Sequence, residues 1–417
     1  MTNTTFPKSP STIEETGLEP LLLRRLTTKW MMEHDSATPG EAADFIQLPK
    51  ALMNLVFKDM VQAGLIESRG LRGADARSDI AYGLSQRGMA YGLESLALSR
   101  YVGPAPVTLE AFNRQILSQS IRFETFNPQE LRDCLSELVL PDDFLAELGP
   151  AVGSGKSILL YGPPGNGKSA VAERIGHLFD QAIYVPHAIE LAGQIVNFFD
   201  SSIHFPVDLN DEERSLDQRW RKVRRPMVKT GGELTMAMLD LAQDEYANIY
   251  EAPLHLKASG GVFIVDDFGR QQASPQQFVN RWIIPLERGY DFVTLKTGRK
   301  FRVPFDELVI FSTNFRPRDL VDEAALRRFR FKIKIDGPSK EDFLQILHNA
   351  AKQAGIRIDP DTVTHFYGEH YSGKMPPAAY HPVVLFDYIQ SYCRFNNLEP
   401  VATPDLMTKA WHSLFAE

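Results

Sequence analysis

Eight consecutive residues constrain this chain more than any other feature: Gly162-Pro163-Pro164-Gly165-Asn166-Gly167-Lys168-Ser169 lies between an apolar run at 157–161 and a helical stretch over 170–180. Glycines at 162, 165 and 167 let the backbone turn its N–H groups inward, and a helix that begins where the loop ends adds the positive end of its dipole. Such a loop cradles phosphate oxygens. Lys168 is placed to reach the β- and γ-phosphates and Ser169 to hold Mg²⁺ through its hydroxyl, while Gly162, Pro163, Pro164, Gly165, Asn166, Gly167 and Ala170 complete the cradle. An ordinary Gly/Pro turn between a strand and a helix requires neither Lys nor Ser at these offsets. The spacing therefore predicts a nucleotide-dependent protein.

At 417 residues the chain exceeds one ordinary core, and roughly two to four domains are expected. Charged residues at 24% and hydrophobic ones at 43% exclude a disordered or fibrous chain. A net charge of −8 argues against a whole-surface polyanion binder, although it permits one basic patch. Cys134 and Cys393 stand far apart without metal-ligand spacing, so neither a disulfide framework nor a zinc site is expected. Residues 1–19 are polar and lack the apolar core of a signal peptide, and no window approaches membrane-spanning length. The expectation is a cytoplasmic protein without membrane insertion.

After the polar tail at 1–19, residues 20–100 read as three helices (21–34, one opening at 38–41, and 49–63), a hairpin around 68–79, and a further helix from 85. The stretches Gln62-Ala63-Gly64-Leu65-Ile66-Glu67 and Tyr82-Gly83-Leu84-Ser85-Gln86-Arg87-Gly88 make this region resemble a winged helix-turn-helix. That fold binds DNA or docks proteins. On the presumed recognition helix only Lys50 and Lys58 are basic, and in the wing Arg69, Arg72 and Arg77 alternate with Glu67, Asp75 and Asp79. This mixture favours protein docking or assembly, with nucleic acid kept as the second partner class. A Pro/Gly-rich joint at 101–107 opens a linker and helical lead-in over 101–148.

Two further apolar runs end in polar groups. Gly261-Val262-Phe263-Ile264-Val265-Asp266-Asp267 reads as a strand buried on both faces that delivers two carboxylates to the carboxyl edge of a parallel sheet. There Asp266 would hold Mg²⁺ and Asp267 would polarise a water. The run at 308–313 ends in Asn314, an uncharged group able to bond both water and a γ-phosphate oxygen. Arg327 and Arg328 precede Phe329 and an apolar strand at 331–335.

Phosphate loop, acidic strand end, Asn-tipped strand and arginine pair follow the order of the AAA+ ATPases, which residues 149–417 resemble. The resemblance implies a P-loop α/β core with a parallel sheet over 149–336, a four-helix lid over 337–417, and hydrolysis of ATP with Mg²⁺. It also implies that Arg328, with Arg327 second, reaches a neighbour's γ-phosphate, so that the chain forms a homo-oligomeric ring of roughly six copies that acts on a protein client. The catalytic set is then Lys168, Asp266, Asp267, Asn314, Arg327 and Arg328, with Ser169 and Asp266 on the metal.

Within that family, the approach 252–266 and a hairpin signature around Thr297-Gly298 are similar to MoxR-type ATPases and sigma-54 activators, a group marked by a helix-2 insert and a presensor-1 hairpin. The long connection at about 181–258 is read as that insert. It carries the acidic run 208–213 and the basic run 219–225 around Trp220, which could either grip nucleic acid or pair internally; internal pairing is preferred. Two departures stand out. The third lid helix opens His381-Pro382 without the family's arginine, leaving Lys374 or His381 as weak substitutes, and the second acid is Asp rather than Glu.

Overall fold

The computed structural model describes residues 6–72, 79–211, 213–373 and 375–415. Its centre is a mixed α/β body built on five parallel strands, in the spatial order Met227–Thr230, Val262–Val265, Leu308–Thr313, Ile158–Tyr161 and Phe331–Lys334. Strands buried on both faces need near-continuous apolar sequence, and all four residues of Val262–Val265 are buried. Successive side chains nevertheless separate into two cores. Ile158, Leu160, Ile264 and Ile310 meet the helices Asp142–Gly153 and Lys168–Leu178 on one face. Leu159, Phe263, Val265 and Phe311 meet Phe268, Phe278, Trp282 and Phe329 on the other. Because the strands run the same way, the turns after Tyr161, Val265 and Thr313 all emerge at one edge.

The stretch read as an insert is only partly one. Met227–Thr230, inside 181–258, is the edge strand of the central sheet. Four residues, one of them Lys, are too short and too polar to announce a strand; the parallel partner Val262–Val265 supplies the pairing. The remainder supplies four strands of a second five-stranded sheet, Ala242–Asp244, Ile249–Glu251, Gln194–Asn197 and Ala188–Leu191, which Val107–Thr108 completes at its edge, together with an antiparallel pair, Ala182–Pro186 and Trp220–Arg224. The hairpin Tyr290–Thr294 and Lys300–Pro304 packs Val293, Leu295 and Val303 into the core beneath this sheet.

Three of the five basic residues in the run 219–225 are paired within the fold, while Arg221 and Arg224 are exposed. Trp220 is buried, Arg219 pairs with Asp217 at 2.8 Å, Lys222 with Glu213 at 2.7 Å, and Arg225 with Glu124 at 2.5 Å. Trp220 is therefore a core residue and not a stacking platform for bases.

Residues 20–98 contain Pro20–Met31, Pro39–Ile46, Lys50–Gln62, the hairpin Ile66–Arg72 with Asp79–Leu84, and Gln86–Leu98. Thr38 and Glu41 cap the second helix reciprocally, and Ala37 bridges to Tyr82 beside the hairpin. Asp75 and Arg77 of the wing lie outside the described residues. This region shares one core with the second sheet, since Trp30, Met31 and Phe57 belong to the same cluster as Tyr101, Ala105, Ala188 and Ile195. The Pro/Gly-rich segment between them is thus packed. Buried Arg219 seals it, donating to the carbonyls of Thr16 (3.0 Å) and Pro106 (3.3 Å). Lys29, whose burial lowers its pKa to about 8, donates to those of Ser99 and Tyr101.

C-terminally, four helices form as expected: Lys340–Gln353, Pro360–His370, His381–Asn396 and Pro404–Leu414. They enclose Phe343, Phe366, Phe386 and Trp411. Between the Asp266 strand and the hairpin stand two short helices, Pro275–Arg281 and Ile283–Arg288. Pro285 lacks an N–H and its ring would clash with the carbonyl of Arg281, which breaks the helix at Trp282.

Candidate active site

The carboxyl edge of the central sheet brings together Lys168, Ser169, Asp266, Asp267 and Asn314. Gly167 (φ 84°) leads into the helix Lys168–Leu178, so Lys168 and Ser169 occupy its first turn, with Ala170 next. Gly162 (φ 145°) takes a backbone conformation open mainly to glycine, and a Cβ there would collide with the carbonyl of Ile335 on the neighbouring strand. The Lys168 ammonium donates to the loop carbonyls of Gly162 (3.0 Å) and Pro163 (2.7 Å). Burial lowers its pKa, and Asp267 and Asp266 partly restore it.

Asp266 is the hub. Ser169 Oγ donates to its Oδ1 at 2.7 Å, the Asp267 N–H at 3.1 Å, and Ser312 Oγ donates to the same oxygen. Lys229 Nζ lies 3.3 Å from the other oxygen and also pairs with Glu173. Burial alone would raise the Asp266 pKa; Ser312, Ser169 and Lys229 outweigh it and hold the group below the ordinary carboxylate range. Asp266 is thus kept as an anion. The donor set of one hydroxyl and one carboxylate side by side fits Mg²⁺, which keeps several waters and takes phosphate oxygens in preference to an all-protein cage.

Asp267 follows with φ 48°, an uncommon backbone state for a non-glycine residue. Its carboxylate is exposed at the edge, and Asn314 Nδ2 donates to it at 3.3 Å. Gln271 fixes this turn from beneath, donating to the carbonyls of Gly231 and Asp266 and accepting from the Gly269 N–H. The Asn166 side chain is buried and turns to the lid, accepting from the Ala379 N–H at 3.1 Å.

Sequence reasoning missed Lys229, Ser312 and Gln271. The signal for Lys229 and Ser312 is strand register, which sets Lys229 beside Ile264 and Ser312 beside Leu160, and no local pattern encodes it. Beside the loop, a cavity of about 280 Å³ is lined by apolar Leu140, Phe144 and Ile335, by charged Asp143, Glu147 and Asp336, and by Asn166. His381 does not face the phosphates. It is buried against Tyr371 Oη (3.0 Å) with its pKa pushed down by burial to about 4, so it is neutral and cannot replace a lid cation. Lys374 lies outside the described residues.

The arginine pair sits at the opposite edge of the sheet, in a cleft of about 370 Å³ lined by Arg122, Lys156, Arg288, Arg327, Arg328 and Arg330. Arg327 is 75% exposed and 3.7 Å from Glu323; Arg328 is 28% exposed and pairs with Glu287. Both guanidinium groups are thus directed to partners away from the phosphate loop of their own chain.

A family model described as a domain of unknown function (DUF8689) matches residues 339–413, the four C-terminal helices. No curated protein matches the chain. Among solved structures, a point mutant of Thermotoga maritima RuvB is similar over 72% of this chain and 74% of its own, with 14% identity and a TM-score of 0.39. NtrX from Brucella abortus in complex with ATP is similar over 70% of this chain and 58% of its own, with 16% identity and a TM-score of 0.40. The ADP complex of the same protein gives 17% identity, a TM-score of 0.41, and coverage of 66% and 56% respectively.

Proposed function

We propose that the chain is a Mg²⁺-dependent ATPase of the AAA+ type that assembles into a homo-oligomeric ring and remodels a macromolecular client. The observation that carries this is the convergence of Lys168, Ser169, Asp266, Asp267 and Asn314 from one loop and two neighbouring strands onto one edge, with Asp266 held ionised. Gly165, Gly167 and Lys168 bind the phosphates, Ser169 and Asp266 hold the metal, and Asp267 with Asn314 orients the water that attacks the γ-phosphate. Bound Mg²⁺ neutralises charge on the phosphate oxygens. Arg327 and Arg328, turned away from their own loop, complete the site of the next subunit.

A protein client is favoured over nucleic acid. Arg219, Lys222, Arg225 and Trp220 are engaged inside the fold, which leaves only Arg221 and Arg224 of the basic run exposed. On the winged-helix-like module, Lys50 pairs with Asp79 and Arg72 with Glu41. No helix among the described residues is long and apolar enough to cross a membrane.

The test is phosphate release by purified protein. Wild type should turn over only with Mg²⁺, and both Lys168→Ala and Asp267→Asn should lower the rate by about a hundredfold or more. Turnover in wild type equal to that of Lys168→Ala would remove the hydrolysis assignment. A steep, salt-sensitive stimulation by DNA would favour the nucleic-acid reading instead.

A further inference from the structure

We propose that the C-terminal lid reads the state of the phosphate loop through Asn166 and Tyr380, in place of a charged lid residue. This rests on the nucleotide reading above and adds how the site is coupled to the rest of the chain. The segment 377–381 lies directly on the loop: the Ala379 N–H donates to Asn166 Oδ1 at 3.1 Å, and the Tyr380 N–H donates to the Gly165 carbonyl at 2.9 Å. Asn166 is 6% exposed, and its Nδ2 donates back to the Pro163 carbonyl at 3.4 Å. The Tyr380 ring covers Gly165 (φ 77°), where any Cβ would collide with it. Gly337, at the passage from sheet to lid, closes onto the Pro377 carbonyl in the same way.

One peptide plane makes these contacts a relay. The carbonyl of Gly165 and the N–H of Asn166 belong to the same trans amide and point in opposite directions. A phosphate that accepts from the Asn166 N–H therefore sets the direction of the carbonyl held by Tyr380. Tyr380 immediately precedes the helix His381–Asn396. Its neighbour His381 contacts Tyr371 at the end of the second lid helix and the Phe415 ring, 4.9 Å away, after the last. Rotation of one amide is thus delivered to the point where three lid helices meet, with no cation required.

Hydrogen exchange of the full chain, with and without Mg²⁺ and the slowly hydrolysed analogue ATPγS, tests this over residues 377–396. Each variant is studied at a saturating concentration set by its own binding titration. In wild type the analogue should slow exchange there about tenfold. Asn166→Ala, which removes the acceptor of the Ala379 N–H, and Tyr380→Pro, which removes the N–H held by the Gly165 carbonyl, should each lose most of that protection, the double variant all of it, and Tyr380→Phe, which keeps both N–H and ring, almost none. Tyr380 is 42% exposed and its φ of −79° suits proline, so the substitution leaves the lid core intact. Full protection in the double variant overturns the relay and leaves the nucleotide site standing. Failure of wild type to bind the analogue overturns both.

Discussion

Three histidines, His204 and His381 buried and His187 half-buried, carry opposite demands from water and from the fold. His187, His204 and His381 each have a pKa lowered from the ordinary 6.5 to about 4, with burial the leading cause. His204 shows why the neutral form is chosen: its Nδ1 accepts from the Asp200 N–H while Nε2 donates to the Lys257 carbonyl, both at 2.9 Å. Between pH 6.5 and 4 the unfolded chain binds more protons at these positions than the folded one. Stability is therefore fully present above about pH 6.5 and falls as the pH drops through that window, by up to about 1.4 kcal/mol per unit for each histidine. We expect the urea midpoint to be clearly lower at pH 5 than at pH 7, and His204→Gln to flatten that dependence. An unchanged midpoint would mean that these rings are hydrated in solution.

At the level of elements, what was legible depended on whether the signal was local. The phosphate loop, the Asp266 strand, the Asn314 strand and the lid helices are written in consecutive residues: glycine spacing, apolar runs, and the cap-then-proline starts at Asp359-Pro360 and Thr403-Pro404. Lys229 and Ser312 were not legible, because each reaches Asp266 from another strand. Nor was the strand Met227–Thr230, whose existence depends on its partner. The basic run 219–225 displayed its charge but not its pairing, since Arg225 meets a carboxylate 101 positions away. One consequence is measurable in Arg219. Its pair with Asp217 is about 95% buried on each side and it also holds two carbonyls, so Arg219→Ala strands a buried anion. We expect a loss of about 3–5 kcal/mol in chemical unfolding and faster proteolysis near residues 101–107. A loss below about 1 kcal/mol would show that water replaces the guanidinium there.

For the whole molecule, the separation of Arg327 and Arg328 from Lys168 is what the proposed two-chain catalytic unit rests on. Mixing inactive Lys168→Ala with inactive Arg328→Ala should restore turnover, because about one junction in four joins an intact loop to an intact arginine when equal amounts of the two assemble at random. Restoration should need preincubation long enough for subunits to exchange. No recovery, with co-assembly shown by sedimentation, would place all catalytic groups within one chain. The Glu287 partner of Arg328 gives the assembly step a competitor inside each subunit.

The first hundred residues are not a pendant carried on a leash. Trp30 and Phe57 share their oil with Ala188 and Ile195, and Arg219 bolts the junction from below. Cutting the chain near residue 100 would leave two wounded surfaces rather than two domains. Whatever grips the N-terminal helices is therefore gripping a rigid extension of the second sheet, and would feel its displacement with little slack.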